Sequence, residues 1–384
     1  MIVKLSDNIV SPLGYNSIDN YNNLCTGNSK LKLYEGIWDI PEPFIASLFI
    51  NEELDYVFNK HIPTNKLLTK FEKIVILSAY QAIKEADIDA SSDRVIFIIS
   101  STKGNIELLN TSDNRIGNNR LLLGTSAKIV SEFFGNKNNP IVVSNACISG
   151  ACAQLLALRL LKTDLYDYAI VIGADVQSKF IVSGFQSFKA LSMNCCKPFD
   201  KDRDGLNVGE GAGTIIFKKE KDNNISNKDW ILDNGAINND ANHISGPSRT
   251  GEGSYRALKK VIADTDIDKI AMINVHGTAT LYNDEMESIA ISRAGLSNIP
   301  INGLKGYYGH TMGAAGIIET ILSQYSLNNN IILPTRGYSE LGVSNKLIIS
   351  NKTIETKKRE FIKLLSGFGG CNIALLYKQG GTIC

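Results

Sequence analysis

The sequence predicts an α/β fold with two similar halves, and three observations carry this. Short β-branched runs alternate with longer amphipathic runs along the chain. The short runs are continuously apolar, the pattern of strands buried on both faces. The second half repeats the scheme of the first, although no residue-level repeat is visible.

In chain order, a helix is expected over 67–86 and a strand over 93–100, "DRVIFIIS". A strand over 140–144, a helix over 149–162, and strands over 167–173 and 213–218 follow. The second half supplies "KIAMINVHG" as a strand and "NDEMESIAISRAG" as a helix. It continues with "NIPING" as a strand, "AAGIIETILSQYSL" as a helix, and a last strand over 371–377. The polar stretch 219–229, "KEKDNNISNKD", marks the join, so the halves are taken as 1–220 and 221–384. A second polar segment, 103–120, reads as a loop or an inter-subunit element.

A chain of 384 residues, 43% of them hydrophobic, suffices for a large core. The net charge of +1 argues against a nucleic-acid binder or a polybasic membrane protein. No leader pattern opens the sequence, and its apolar runs are too short to span a bilayer, so a soluble cytoplasmic protein is expected. The seven cysteines form no paired CxxC set, so free thiols are expected, without a zinc site or disulfide framework.

Cys147 stands in "SNACISGACAQ", between an extended apolar run and a helical one. A buried structural thiol is the ordinary reading of such a residue. Its place at a helix start favours a nucleophile instead, with a thiolate stabilised by the helix end and a lowered pKa. Cys152 lies a turn further on and reads as core, while Cys195 and Cys196 read as exposed loop thiols. Of four histidines, His276 ends a strand in "INVHGTAT" and His310 precedes a helix in "GLKGYYGHTMGAAG". Singly, each reads as an ordinary satisfied histidine. Yet glycine-rich turns after buried strands are where α/β folds place ligands. One cysteine and two imidazoles there suit a nucleophile with partners for charge on a carbonyl oxygen or a departing carboxylate.

Taken together, the motifs resemble the β-ketoacyl-acyl-carrier-protein synthases, the elongating condensing enzymes of fatty-acid and polyketide assembly. The resemblance runs over nearly the whole chain: "NIVSPLG", "NACISGACAQ", "KALSMNCCKPFDKDRDGLNVGEGAG", "VHGTATLYNDEMES", "LKGYYGHTMGAAGIIE" and "GFGGCNIALL" stand in the family's order. It implies the thiolase-like fold, two pseudo-repeated halves in five layers, α/β/α/β/α, commonly a homodimer. It implies decarboxylative condensation of an acyl-cysteine with malonyl-acyl carrier protein, with acyl carrier protein as partner and no metal or organic cofactor. Carried over by motif, Cys147 accepts the acyl group, and His276 and His310 complete the catalytic set. Lys305, Glu319 and Asp284 are supporting residues. Thr278 and Thr280 contact the pantetheine arm, and Phe368 gates malonyl entry. The backbone N–H groups of Cys147 and Phe368 would hold the acyl oxyanion, and the Nε2 atoms of the two histidines the enolate. Gly306, Ser366 and Cys371 depart from the usual pattern, which leaves acyl preference and gating open.

Two other readings stay open. A thiolase shares the fold but lacks the His-Gly-Thr motif and carries a second cysteine before the final glycines. A non-catalytic chain-length-factor-like partner, as in a heterodimer, would lack the nucleophile. Because carrier proteins are acidic, a basic docking face is also expected, for which Lys66, Lys70 and Lys73 share one helical face.

Overall fold

The computed structural model describes residues 1–110 and 115–382. Ten strands form one continuous sheet. The first half supplies β1 (Ile2–Val10), β2 (Val95–Ser100), β3 (Ile141–Val143), β4 (Tyr168–Asp175) and β5 (Gly211–Lys219). The second supplies β6 (Trp230–Asn239), β7 (Ile270–Asn274), β8 (Ile301–Asn302), β9 (Glu360–Gly367) and β10 (Cys371–Gln379). The order across the sheet is β3-β2-β4-β5-β1, then β6-β10-β9-β7-β8. Each half thus has the same strand order, read outward from the junction. The pairings agree as well. β2 runs parallel to β3 and β4, as β7 does to β8 and β9. The remaining neighbours are antiparallel, including β1 and β6, which meet through Val3 and Ile231. The repeat invisible in the residues is plain in the topology.

The helices that matter here are α1 (Lys70–Ala86), α2 (Ser149–Lys162), α3 (Lys179–Ser187), α4 (Glu252–Val261), α5 (Leu281–Arg293) and α6 (Ala315–Asn328). α2 and α6 lie between the two half-sheets and touch strands of both. α1 covers the outer face of the first half-sheet, and α4, with α5 beside it, covers that of the second. Five layers result. Strand period explains how the layers are glued. In β2, Ile96 and Ile98 face the central core while Val95, Phe97 and Ile99 face the outer one. In β9, Phe361 and Leu365 face the centre while Ile362 and Leu364 face the far outer core. A strand buried on both faces needs no polar alternation, hence the continuous apolar runs.

α1 begins at Lys70, later than expected from the sequence, because Thr69 and Glu72 form a reciprocal capping box that fixes its start. The expected strand over 298–303 is reduced to two residues, β8. Several elements were not legible in the sequence, among them β6, β9, α3 and α4. β9, "EFIKLLSG", hides its strand character behind Glu360 and Lys363, both buried in the fold. Of the polar segment 103–120, Ile106–Asn110 and Asn118–Leu121 are short 3₁₀ turns, and residues 111–114 lie outside the described residues. Among the described residues no helix is long and apolar enough to cross a membrane.

Candidate active site

The turn between β3 and α2 carries Cys147. Ala146 sits at φ 44°, in the left-handed region, which makes the turn sharp. Ser149 holds it: its Oγ accepts from the Asn145 N–H at 2.8 Å and donates to the Ala146 carbonyl at 2.6 Å. Cys147 is thereby turned into the protein and is 9% exposed. Burial pushes its thiol up to about 12, with the ammoniums of Lys103 and Lys305 pulling the other way. This corrects the expectation of a lowered thiol pKa, because desolvation of the sulfur outweighs the favourable charges around it. Cys196 is likewise buried, whereas Cys195 is exposed as expected.

The turn after β8 occupies the equivalent place in the other half and carries His310. Glycine brings the two turns together. A Cβ on Gly150 would meet the Gly313 carbonyl oxygen at 2.7 Å, and one on Gly316 would meet the Ala151 nitrogen at 2.6 Å. α2 and α6 therefore approach backbone to backbone just behind Cys147 and His310. The His310 N–H donates to Asn207, and its Nδ1 accepts from the Met312 N–H at 3.2 Å. That bond assigns the ring proton to Nε2, which is buried and has no partner among the described residues.

His276 follows β7. Its own N–H and that of Gly277 donate to the two oxygens of Glu287, at 2.7 and 2.8 Å. Lys305 donates to its carbonyl oxygen. The side-chain Nδ1 is buried and has no partner among the described residues. The two imidazoles meet edge to face, with ring centroids 5.0 Å apart. The Cys147 Sγ and a ring nitrogen of each histidine lie within 4.8 Å of one another. Burial, followed by the charges of Lys305 and Lys363, holds both histidines well below the usual 6.5, so both are neutral at neutral pH.

Behind the imidazoles lies a buried charge chain. Glu319 bridges Lys305 at 2.7 Å and Lys363 at 2.5 Å. Burial pushes Lys363 down to about 8, with Glu319 acting against it. Thr278 and Thr280 line the cleft above Cys147, their hydroxyls 2.9 Å apart. Phe368 lines it too, packed against Phe185 and Phe188 with centroids 5.9 and 5.4 Å away. The cleft holds about 340 Å³. Asp284 does not line it. Its carboxylate accepts from the Phe199 N–H at 2.7 Å and lies 3.9 Å from Arg203, bracing the 199–203 loop.

Three buried groups at the site escaped sequence reading. Glu287 stands one turn beyond Asp284 on α5, and spacing cannot tell which of the two reaches His276. Lys363 lies inside an apolar strand. Asp175 ends β4 and accepts from Ser101, Thr102 and Gly313, tying the His310 turn to the first half. Its position at the end of a buried strand was the same signal that marked the histidines. Of the three lysines expected at a docking face, Lys66 lies before the start of α1. Lys70 pairs with buried Glu210 at 2.7 Å and Lys73 with Asp55 at 2.6 Å, while the Lys66 ammonium lies over the Phe133 ring.

Comparison with known proteins places this geometry. Residues 11–223 match the family model for the beta-ketoacyl synthase N-terminal domain, and residues 231–339 that for the C-terminal domain. The chain is similar to a putative mitochondrial 3-oxoacyl-[acyl-carrier-protein] synthase of Schizosaccharomyces pombe, with 26% identity over 96% of this chain and 97% of that one. It is 33% identical to 3-oxoacyl-[acyl-carrier-protein] synthase 2 of Rhizobium meliloti over 62% of this chain and 60% of the relative. In structure it resembles the ketosynthase ApeO, solved with its chain length factor ApeC, from Xenorhabdus doucetiae. The TM-score is 0.84, at 23% identity over 98% of both chains. A beta-ketoacyl synthase from Burkholderia phymatum gives a TM-score of 0.82 at 24% identity, covering 98% of this chain and 99% of that one. At these identities the structural likeness is one of fold.

Proposed function

The chain belongs to the beta-ketoacyl synthase family, and from that premise we infer how its residues divide the work. The enzyme condenses an acyl group with malonyl-acyl carrier protein, with loss of carbon dioxide, to give a 3-oxoacyl-acyl carrier protein. In the first stage the Cys147 sulfur attacks the carrier thioester. A new C–S bond forms, the old one breaks, and the thiol proton passes to the departing carrier sulfur. Because burial keeps the thiol neutral, that proton must move as the sulfur attacks, and since His310 already carries its proton on Nε2, the neutral imidazole of His276 is the base within reach. The N–H groups of Cys147 and Phe368 hold the acyl oxyanion.

In the second stage malonyl-carrier enters past Phe368, its pantetheine arm against Thr278 and Thr280. His276 and His310 donate to the thioester oxygen as carbon dioxide leaves. A neutral histidine that donates from Nε2 suits an enolate, since it stabilises negative charge without first needing a proton. The enolate carbon then attacks the acyl-cysteine carbonyl. The C–S bond breaks, and the sulfur takes up one proton to reset the site. Lys305, Glu319 and Lys363 orient the two turns and do not touch carbon. Asp284 acts further out, through the 199–203 loop.

The partner is an acyl carrier protein, and the assembly a dimer, either of two copies or with a ketosynthase-like second subunit. We place the reaction in the cytoplasm and take 1–220 and 221–384 as its two structural halves. The observation that carries this reading is the buried, unpartnered Nε2 of His310 beside Cys147. The test is His310→Ala. Condensation should fall on the order of 100-fold or more, while intact mass still shows acylated Cys147. Condensation at the wild-type rate rejects the assignment.

A further inference from the structure

A second cleft of about 610 Å³ lies on the other side of the Phe185, Phe188 and Phe368 cluster, and these three residues line both clefts. Its walls are otherwise largely apolar, with Leu109, Phe180 and Ile181 among them. Two lysines, Lys103 and Lys179, are the charged residues that line it. The Lys103 ammonium donates to the hydroxyl of Thr102 at 3.2 Å and, among the described residues, to no other acceptor. No carboxylate of the described residues lies within ion-pair distance of either lysine. Asp175, beside Lys103, is already taken up by Ser101, Thr102 and Gly313.

This cleft shares its wall of Phe185, Phe188 and Phe368 with the cleft that holds Cys147, so an acyl chain on that sulfur reaching past the three rings would lie in it. A methyl-ended chain filling it would strip water from two cations and return nothing for them. A chain with an anionic end would bury its apolar stem against the phenylalanines and replace the lost water with charge-assisted hydrogen bonds. Lys103 is also close enough to the nucleophile for its charge to act on both Cys147 and His310, so the cation belongs to the loaded site and not to a remote surface.

We propose that the acyl group accepted by Cys147 carries a carboxylate beyond its apolar stem, and that Lys103 and Lys179 receive it. The inference rests on the ketosynthase reading of Cys147. The test compares two pantetheine thioesters of equal acyl length, one ending in a methyl group and one in a carboxylate. The rate of Cys147 acylation is read by intact mass. The wild type should favour the carboxylate-ended acyl group by roughly tenfold or more. The Lys103→Met, Lys179→Met double variant should lose or reverse that ratio, and Lys103→Arg should keep it. The ratio is the readout because Lys103 also acts on the thiol itself. A wild-type preference for the methyl-ended chain, or a ratio unchanged in the double variant, overturns this inference alone. Failure of both thioesters to load Cys147 overturns the ketosynthase reading and this one with it.

Discussion

Lys305 and Glu319 form an ion pair of 2.7 Å with both side chains fully buried, and Lys305 also donates to the backbone carbonyl of His276. The carboxylate is shared with Lys363, so one anion holds two buried cations. Glu319→Gln leaves both cations unbalanced and should cost about 3–5 kcal/mol. Lys363→Met leaves the Lys305 pair intact and should cost less. Urea unfolding of the two variants checks the order, and equal losses would show that the chain is not organised around Glu319.

The buried histidines predict an acid limb of stability. Both are held well below 6.5, so the unfolded chain takes up protons below that pH which the folded chain refuses. Their contribution is therefore complete above 6.5 and lost as pH falls. Glu287 acts in the opposite sense: burial pushes it up to about 7, and in the fold it is protonated first. Comparing wild type with His310→Gln cancels that term. The stability difference should shift against the wild type by about 1.4 kcal/mol per pH unit below 6.5. Denaturation curves at several pH values measure it, and a pH-independent difference would mean that His310 titrates normally in the fold.

Cys147 should be a slow nucleophile toward small electrophiles when no substrate is bound. With its thiol pushed up to about 12, alkylation by iodoacetamide should keep rising about tenfold per pH unit from about pH 7 to 9. Peptide mapping separates this reaction from the exposed Cys25 and Cys195. A plateau below about pH 8 would mean that the helix end outweighs burial after all.

Gly316→Ala should disturb stability and catalysis together. Its Cβ would lie 2.6 Å from the Ala151 nitrogen, so α2 and α6 must separate, at about 1–3 kcal/mol. The shift would move Cys147 away from His310 and lower kcat. Gly124→Ala, where an added Cβ meets nothing within 4 Å, should leave both unchanged or raise stability slightly. Thermal melts and steady-state rates distinguish them, and a kcat for Gly316→Ala equal to wild type would show that the helix crossing does not set the site.

Much of this was legible in the sequence, and the limits have physical causes. Cys147, His276 and His310 could be read because each stands in a turn after an apolar run, a place where a polar side chain has few structural reasons to be. Lys305 and Glu319 came from the family motif, whereas Lys363 had only its apolar strand to mark it. Asp284 and Glu287 both look inward from α5, and only the packing decides that Glu287 holds the His276 turn while Asp284 holds Phe199. The three lysines expected at a carrier-docking face have the spacing of one helix side, but the capping box at Thr69 leaves Lys66 outside α1, and pairing with Glu210 and Asp55 depends on contacts distant in sequence.

The matching strand order of the two halves has a consequence for how this site came to be specialised. The turn after β3 and the turn after β8 are the same turn seen twice, and the helix crossing sets them face to face. Counted from the left-handed residues Ala146 and Met312, Cys147 in one turn answers to Gly313 in the other, and the imidazole of His310 stands three residues earlier; the turns after β2 and β7 differ as well, with Thr102 and Lys103 in one half and His276 in the other. A symmetric frame thus holds an asymmetric reaction. Either side of the pocket can be retuned by substitution in one copy, while its counterpart keeps the frame in place.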